Sequence, residues 1–528
     1  MASEPPTPDP PRDGVPPTTG RAAPATTREA APAARSGLPP LAGRGIAVVA
    51  ALLVALELAT AGRYGYHRDE LYFLVASRHL AWGYVDQPPL TPALAALVRV
   101  AFGGSLVGLR LLPALAVGTV VVVGGLLARE LGGGRGAQVL TAACVAGTAA
   151  VVAIGHLHGT TAYDLLFWGL ALLLLARLAR TGEVRLWPPL GLVVGIGLLN
   201  KATMLQLAGV GAVALLADRR GRRLLATPWL LAGAAIALAL WAPYLAWQAG
   251  HGWPQLAVFA DLRREDGGLG AGLAFVPLQA PMTSILLVPL WVAGLWWLLR
   301  DPPGRRWRPI AVAYLLLVGF YVVVGGKPYY AVGLYPALFA AGAVWLERRR
   351  GGAVPLRRLL PVVVVAIAVP LPLLLPVLPT STLETVRAAN YDAGETYAWP
   401  TYVRQVLAVR AALPPAERDA AVAVTGNYGE AGALARYGGA WGRRAAFSGH
   451  NSYWWWGPPS GDGGVVIVVG YEQARDLLER RFRSVTLAGR LDNGHGVAND
   501  EQGQPVWVCR GLRGTWRDTW IDWRHYDG

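Results

Sequence analysis

The sequence predicts an all-α polytopic membrane bundle of about eleven spans, followed by a small C-terminal extracytoplasmic α/β domain. Four observations carry this. Of 528 residues, 54% are hydrophobic and 15% charged. The apolar residues fall in repeated blocks, and a helix crossing roughly 30 Å of hydrocarbon needs about 20 of them. The arginines behind the formal net charge of +15 sit in short loops between those blocks, so the charge reports topology and predicts no nucleic-acid partner. Beyond Pro379 the pattern changes to that of a water-soluble fold.

Residues 1–42 are rich in Pro, Ala, Thr and Arg with little to bury, and read as a disordered cytoplasmic tail. Residues 43–379 form the expected transmembrane domain. Its spans run Gly45 to Ala61, Leu106 to Ala128, Ala137 to Ile154, Tyr163 to Arg180, Pro188 to Leu199, Ala202 to Ala217, Pro228 to Trp247, Phe275 to Leu299, Pro309 to Val324, Tyr330 to Leu346 and Leu359 to Leu378. The fifth and sixth are short and meet at Asn200 and Lys201 with no real loop; as one re-entrant hairpin they would leave the sidedness unchanged. Arginine clusters follow alternate spans, at Arg177 to Arg185, Arg219 to Arg223, Arg300 to Arg308 and Arg348 to Arg358. Placing them in the cytoplasm puts the N-terminus inside and residues 380–528 outside, as expected of a multi-pass protein of the cytoplasmic membrane.

Residues 63–105 form the first external loop. Asp69 and Glu70 open it in Gly65-Tyr66-His67-Arg68-Asp69-Glu70-Leu71, and Asp86-Gln87-Pro88-Pro89-Leu90 interrupts it. Two carboxylates cannot sit in hydrocarbon without a large desolvation cost, so they lie at or outside the lipid boundary. Capping the loop at the water interface is the plain alternative. Asp69, Glu70, His156, His158, Asp164, Lys201 and Lys327 all fall on the extracytoplasmic side, which suggests one polar cavity opening outward at headgroup level. His67, Arg68, Asp86, Gln87, His156, His158 and Lys201 are taken as its lining.

Each motif also has a bland reading. His156-Leu157-His158 with Asp164 could bind a divalent metal, but no Cys or third His follows at ligand spacing, and helix entry accounts for Asp164. No cofactor is required. Lys201 and Lys327 could simply snorkel to the interface. Gly325-Gly326-Lys327-Pro328-Tyr329-Tyr330 nevertheless combines close backbone approach, a helix break, a cation and two hydroxyls, which suits a phosphate held at the membrane face by Lys327, Tyr329 and Tyr330. In the C-terminal domain, Val422 to Thr425, Val465 to Val469, Ser484 to Leu487 and Val506 to Cys509 read as strands, and Tyr402 to Leu413 and Glu472 to Arg481 as helices. Asn427-Tyr428-Gly429-Glu430 is unusual there. So is the run from Ser448, whose His450, Asn451, Tyr453, Trp454, Trp455 and Trp456 could contact an acceptor or rest on the membrane interface.

The acidic pair after the first span, the Asp86-Gln87-Pro88-Pro89-Leu90 segment, Asp164 at a later helix entry, and Lys327-Pro328-Tyr329-Tyr330 before Leu334-Tyr335-Pro336 form an ordered set. It resembles the bacterial GT-C membrane glycosyltransferases of the protein O-mannosyltransferase and lipid A aminoarabinose transferase superfamily, in its actinobacterial style, over about Gly45 to Leu346. The resemblance implies inverting transfer of a sugar from a polyprenyl-phosphate donor to a cell-envelope acceptor at the outer membrane face. Asp69 matches the family's catalytic base and Glu70 its acidic neighbour. Asp164 matches a second acid lining the cavity, and Lys327 with Tyr330 the region meeting the carrier phosphate. The C-terminal soluble part follows fewer spans than in the named relatives.

That chemistry asks for these residue types independently. A carboxylate takes the acceptor's proton, and a cation or hydroxyl stabilises the departing phosphate. A nucleotide-sugar enzyme would need a cytoplasmic site and shows no phosphate-binding glycine loop here. A transporter or flippase would need a site near the midplane. A non-catalytic receptor would place its working part in the outer domain.

Overall fold

The computed structural model describes residues 1, 3–5, 37–265, 268–471 and 475–527. The chain divides into two units, Met1–Leu38 and Pro39–Gly528. The expected cytoplasmic tail falls mostly on residues 2 and 6–36, outside the described residues.

Within the second unit, helix α1 (Gly43–Thr60) leads through a loop carrying α2 (Arg68–Ala76) and α3 (Leu90–Phe102) into α4 (Leu106–Glu130). Among the described residues, seven helices are long and apolar enough to cross a membrane, and nine if each of two bent pairs counts as one span. Val184–Leu198 and Thr203–Leu216, the fifth and sixth expected spans, are shorter apolar helices and make up the difference from eleven.

The bends are built as a pair. Arg135–Ala146 and Ala149–His156 meet at 58°, and the second break, before Ile285–Arg300, is 87°. Such breaks free backbone groups that must find partners inside the bilayer. Ser284 supplies them, its Oγ donating to Gly147 O (2.8 Å) and accepting from Ala149 N (3.1 Å). The short helix Trp187–Leu198 packs on Pro228–Gly250 through small residues: a Cβ on Gly191 would strike the Gly233 backbone, so only glycine allows this approach.

Two faces emerge. One joins the arginine-bearing ends, with Arg180 Nε on Glu130 (2.6 Å) and Gly134 N on Glu347 (2.8 Å). The opposite one joins Leu90 N to Leu199 O and Asn200 Nδ2 to Thr160 O, each at 2.8 Å. The polar residues singled out in the sequence gather at this second face.

The C-terminal part carries a five-stranded sheet of order β2-β1-β3-β5-β4: β1 (Val422–Thr425) lies parallel to β2 (Ala446–Ser448) and β3 (Val465–Val469), and β5 (Pro505–Leu512) runs antiparallel to β3 and β4 (Phe482–Arg490). Four strands fall where short β-branched and apolar runs predict them, and the three-residue β2 is too short to show a pattern. Of the expected helix Glu472 to Arg481, residues 472–474 lie outside the described residues, and Arg475–Arg481 is helical. The sheet does not stand apart from the external loop. Leu71, Phe73 and Leu74 of α2 share one apolar core with Trp399, Val403, Ala423, Ile467 and Val508, and this joint core sets the site.

Candidate active site

The acidic pair opens α2. His67 is its N-cap: its Nδ1 accepts from Asp69 N (3.2 Å), and Glu70 Oε2 accepts from His67 N (2.9 Å), closing a capping box. Consecutive helical residues point about 100° apart, so the two carboxylates part. Asp69 keeps 46% of its side chain exposed, whereas Glu70 keeps none.

Glu70 is sealed by Arg110 of α4, whose Nε and Nη2 reach its two oxygens at 3.0 and 2.8 Å. Arg110 also donates to Ala61 O (3.0 Å) and Gly65 O (2.7 Å), and its Nη1 lies 3.0 Å from His156 Nε2. His158 N completes the Glu70 shell at 3.0 Å. Burial would raise the Glu70 pKa, but Arg110 and the two backbone N–H groups hold it below the usual carboxylate range. Every acceptor direction is engaged, so Glu70 fixes α2 to the bundle and does not face the cavity; the catalytic place expected for it is corrected.

Asp69 faces a cavity of about 630 Å³. Its Oδ1 accepts from the Tyr428 hydroxyl (2.8 Å), and the Arg68 guanidinium lies 5.1 Å from the centre of that ring. Burial and the Asp69 charge raise the Tyr428 pKa well above its ordinary value, keeping the phenol a donor. Asp86, Gln87, Asn451 and Asp527 line the same cavity. Lys201 does too, with Nζ 3.1 Å from Thr161 Oγ1 and 5.5 Å from the rings of both Tyr329 and Tyr330. Burial lowers the Lys201 pKa; Asp164 opposes this and Lys327 adds to it. Phe259, Leu262, Phe320 and Val324 form an apolar stretch of wall.

Asp86 Oδ1 accepts from Tyr72 OH (2.8 Å). Burial, reinforced by Asp69 and Asp527, pushes its pKa up to about 7 although the Tyr72 hydroxyl pulls the other way. The folded state therefore binds a proton that the unfolded chain has released, and Asp86 costs stability progressively as pH rises from about 4 to about 7. Asp86→Asn is expected to flatten that part of the stability profile. Thermal unfolding of both proteins across this range checks it, and parallel profiles would contradict it.

Several expected positions need correcting. Asp164 lies one layer behind the wall, its Oδ2 accepting from Thr203 Oγ1 (2.7 Å). His156 sits between Arg110 and Glu57, and His158 Nδ1 lies 3.0 Å from Tyr163 OH, both buried away from the cavity. His67 and Arg68 turn toward Asp392 (3.7 Å) and Asp500 (2.5 Å). Lys327 is half-buried and does not line the cavity, although Gly325, Gly326, Tyr329 and Tyr330 around it do. Of the run from His450, Asn451 reaches the cavity. His450 stacks on Tyr428 at 4.5 Å and Tyr453 on Tyr72 at 6.2 Å. Trp454 donates to Trp520 O, Trp455 to Tyr526 OH, and Trp456 stacks on His79. The three tryptophans thus serve packing in three directions rather than one platform.

His156, His158 and Asp164 do not converge on a metal site. Among the described residues, His450, His525 and Asp527 do come within 4.8 Å of one another. The His450 and His525 rings stack at 4.8 Å, and His525 Nδ1 and Nε2 face the carbonyl oxygens of Trp523 (2.9 Å) and Gly426 (2.8 Å). Stacked imidazoles cannot both aim an in-plane lone pair at one ion, and His525 has none to spare. This set does not fit a metal, and no step is derived through one.

Sequence reasoning missed Arg110, Tyr428 and Asp527. Tyr428 lay in a segment already marked as unusual; Arg110, a charge inside the expected span Leu106 to Ala128, was a signal left unread, and Asp527 carried none.

Comparison with known proteins adds to this geometry. Residues 86–247 match the family described as dolichyl-phosphate-mannose-protein mannosyltransferase. No curated protein matches the chain in sequence. Among solved structures, ArnT from Cupriavidus metallidurans bound to undecaprenyl phosphate is similar with a TM-score of 0.59 at 15% identity, over 88% of this chain and 97% of that one. The apo state of the same protein gives 0.57 at 15% identity over the same shares. At that identity the likeness is one of fold.

Proposed function

This chain carries the GT-C glycosyltransferase fold of the superfamily that includes the protein O-mannosyltransferases and the aminoarabinose transferases, and from that premise we propose an inverting sugar transferase. Its donor is a polyprenyl-phosphate sugar and its acceptor a cell-envelope glycolipid, polysaccharide or protein at the outer face of the cytoplasmic membrane. One observation carries the reading. A half-exposed carboxylate, Asp69, shares a cavity with a lysine flanked by two tyrosines and with an apolar stretch of wall.

Those parts match the reaction. The acceptor oxygen attacks the anomeric carbon from one side while the bond from that carbon to the phosphate oxygen breaks on the other. Asp69 takes the hydroxyl proton, and Tyr428 orients the carboxylate that receives it. The leaving phosphate gains charge, which the partly buried Lys201 stabilises at the cavity wall. Tyr329 and Tyr330 flank that cation, and Phe259, Leu262, Phe320 and Val324 suit the first isoprene units of the carrier. The undecaprenyl phosphate bound by the Cupriavidus protein supports a lipid phosphate as the donor's leaving group. A transporter reading fits less well, because the cavity draws Asp69, Asp86, Tyr428, Asn451 and Asp527 from the external loop and the C-terminal part, whereas a transport site is expected within the bundle near the midplane.

Lys201→Met is expected to lower kcat/KM for the donor by about tenfold or more, the worth of a hydrogen bond to a charged group, with acceptor KM unchanged. Steady-state kinetics with each substrate varied checks this. An unaltered donor kcat/KM would remove Lys201 from the phosphate site.

A further inference from the structure

A second recess lies outside the cavity, between α2, α3 and the helix Tyr428–Tyr437. Leu71, Leu74 and Val75 form its apolar side, and Arg78, Arg99 and Arg436 its charged side, with no acidic residue in the lining. Arg99 is held by Ser77, Nε to Oγ at 3.1 Å and Nη2 to O at 3.4 Å. Arg436 reaches Tyr66 OH at 3.4 Å with its guanidinium 5.5 Å from that ring's centre. Arg78 is exposed.

Two features set the recess at a lipid boundary. The chain passes from its edge at Gly103 and Gly104 directly into the long apolar helix α4. Beside it, α3 presents Ala93, Leu97, Val100 and Ala101 along one face at helical spacing, all exposed, Leu97 by 59% and Val100 by 77%. An unpartnered apolar stripe on a helix lying next to a span entry is what an interfacial helix presents to acyl chains. Three guanidinium groups therefore face one small recess whose lining holds no carboxylate.

We infer that this recess binds the phosphate of an anionic phospholipid in the outer leaflet, with the α3 stripe resting among its acyl chains. Planar guanidinium groups pair well with phosphate oxygens, and the partly exposed Val75 with the α3 stripe accepts the glycerol and first methylenes. The inference rests on the proposed sidedness only in naming the leaflet, and its test does not involve sugar transfer.

The test is native mass spectrometry of the full chain released from micelles containing equal phosphatidylglycerol and phosphatidylcholine. The expected result is retention of one phosphatidylglycerol in preference to phosphatidylcholine. Arg78→Gln with Arg436→Gln should reduce that preference by about fivefold for each guanidinium removed. Arg78→Gln alone, at an exposed position, should show its share without disturbing the fold. Equal retention of both lipids by the wild type, or an unchanged preference in the variants, would overturn the site. Displacement of phosphatidylglycerol by inorganic phosphate would overturn the lipid as its ligand.

Discussion

Asp69→Asn is expected to lower the transfer rate by about 10²–10⁴-fold, the usual contribution of a positioned general base, with little change in donor KM. The amide is nearly isosteric, and its oxygen can still accept the Tyr428 hydroxyl that Asp69 Oδ1 accepts at 2.8 Å. The cavity geometry is therefore kept, and what is lost is the capacity to take a proton. The substitution also leaves Glu70 and Arg110 untouched, because α2 aims the two carboxylates in different directions. Single-turnover measurements with saturating donor read this directly, and a rate within about twofold of wild type would remove Asp69 as the base.

The second large effect is on stability. Arg110→Ala leaves Glu70 as a buried carboxylate without its cation and frees the carbonyls of Ala61 and Gly65. Removing one partner of a buried pair costs about 3–5 kcal/mol. Arg110→Met combined with Glu70→Leu should recover much of that loss, since neither charge then remains unpaired. The α2 cap that Glu70 makes with His67 N, worth about 1 kcal/mol, and the partners of His158 N, Ala61 O and Gly65 O are still missing, so the recovery is partial. Because Arg110 depresses the folded pKa of Glu70, the pair's contribution is present above the unfolded value of about 4.3 and fades as pH falls through the lower folded one. Unfolding in detergent, followed by tryptophan fluorescence, compares the three proteins. Equal stability of wild type and Arg110→Ala would show that the pair does not hold α2 in place.

These effects separate what local pattern records from what it does not. Span lengths, arginine loops and short β-branched runs are local properties, and the bundle, the two faces and four of the five strands follow from them. Asp69 was legible because a carboxylate next to a span is costly wherever it sits. Its neighbour was misread because Glu70 is neutralised by Arg110, which is 40 positions away and lies within an apolar run. Tyr428 meets Asp69 across 359 positions, and Asp527 comes from the last residues of the described chain, so no window of sequence joins them. Asp164 lies close behind the cavity wall, but Thr203 stands between it and the cavity. Lys327 stood out over Lys201 because two glycines, a proline and two tyrosines surround it, yet the break between two short helices is what carries Lys201 into the cavity beside those tyrosines.

The central claim is sugar transfer from a lipid phosphate, and donor class tests it most directly. Purified protein reconstituted in liposomes is supplied with a panel of polyprenyl-phosphate sugars or with the corresponding nucleotide sugars, together with envelope glycolipid, polysaccharide and peptide acceptors, and product is followed by mass spectrometry. The account predicts a glycosylated acceptor of inverted anomeric configuration and free polyprenyl phosphate in equal amounts, from a lipid donor alone. Transfer from nucleotide sugars only, or movement of the lipid-linked sugar across the bilayer with no bond broken, would contradict it.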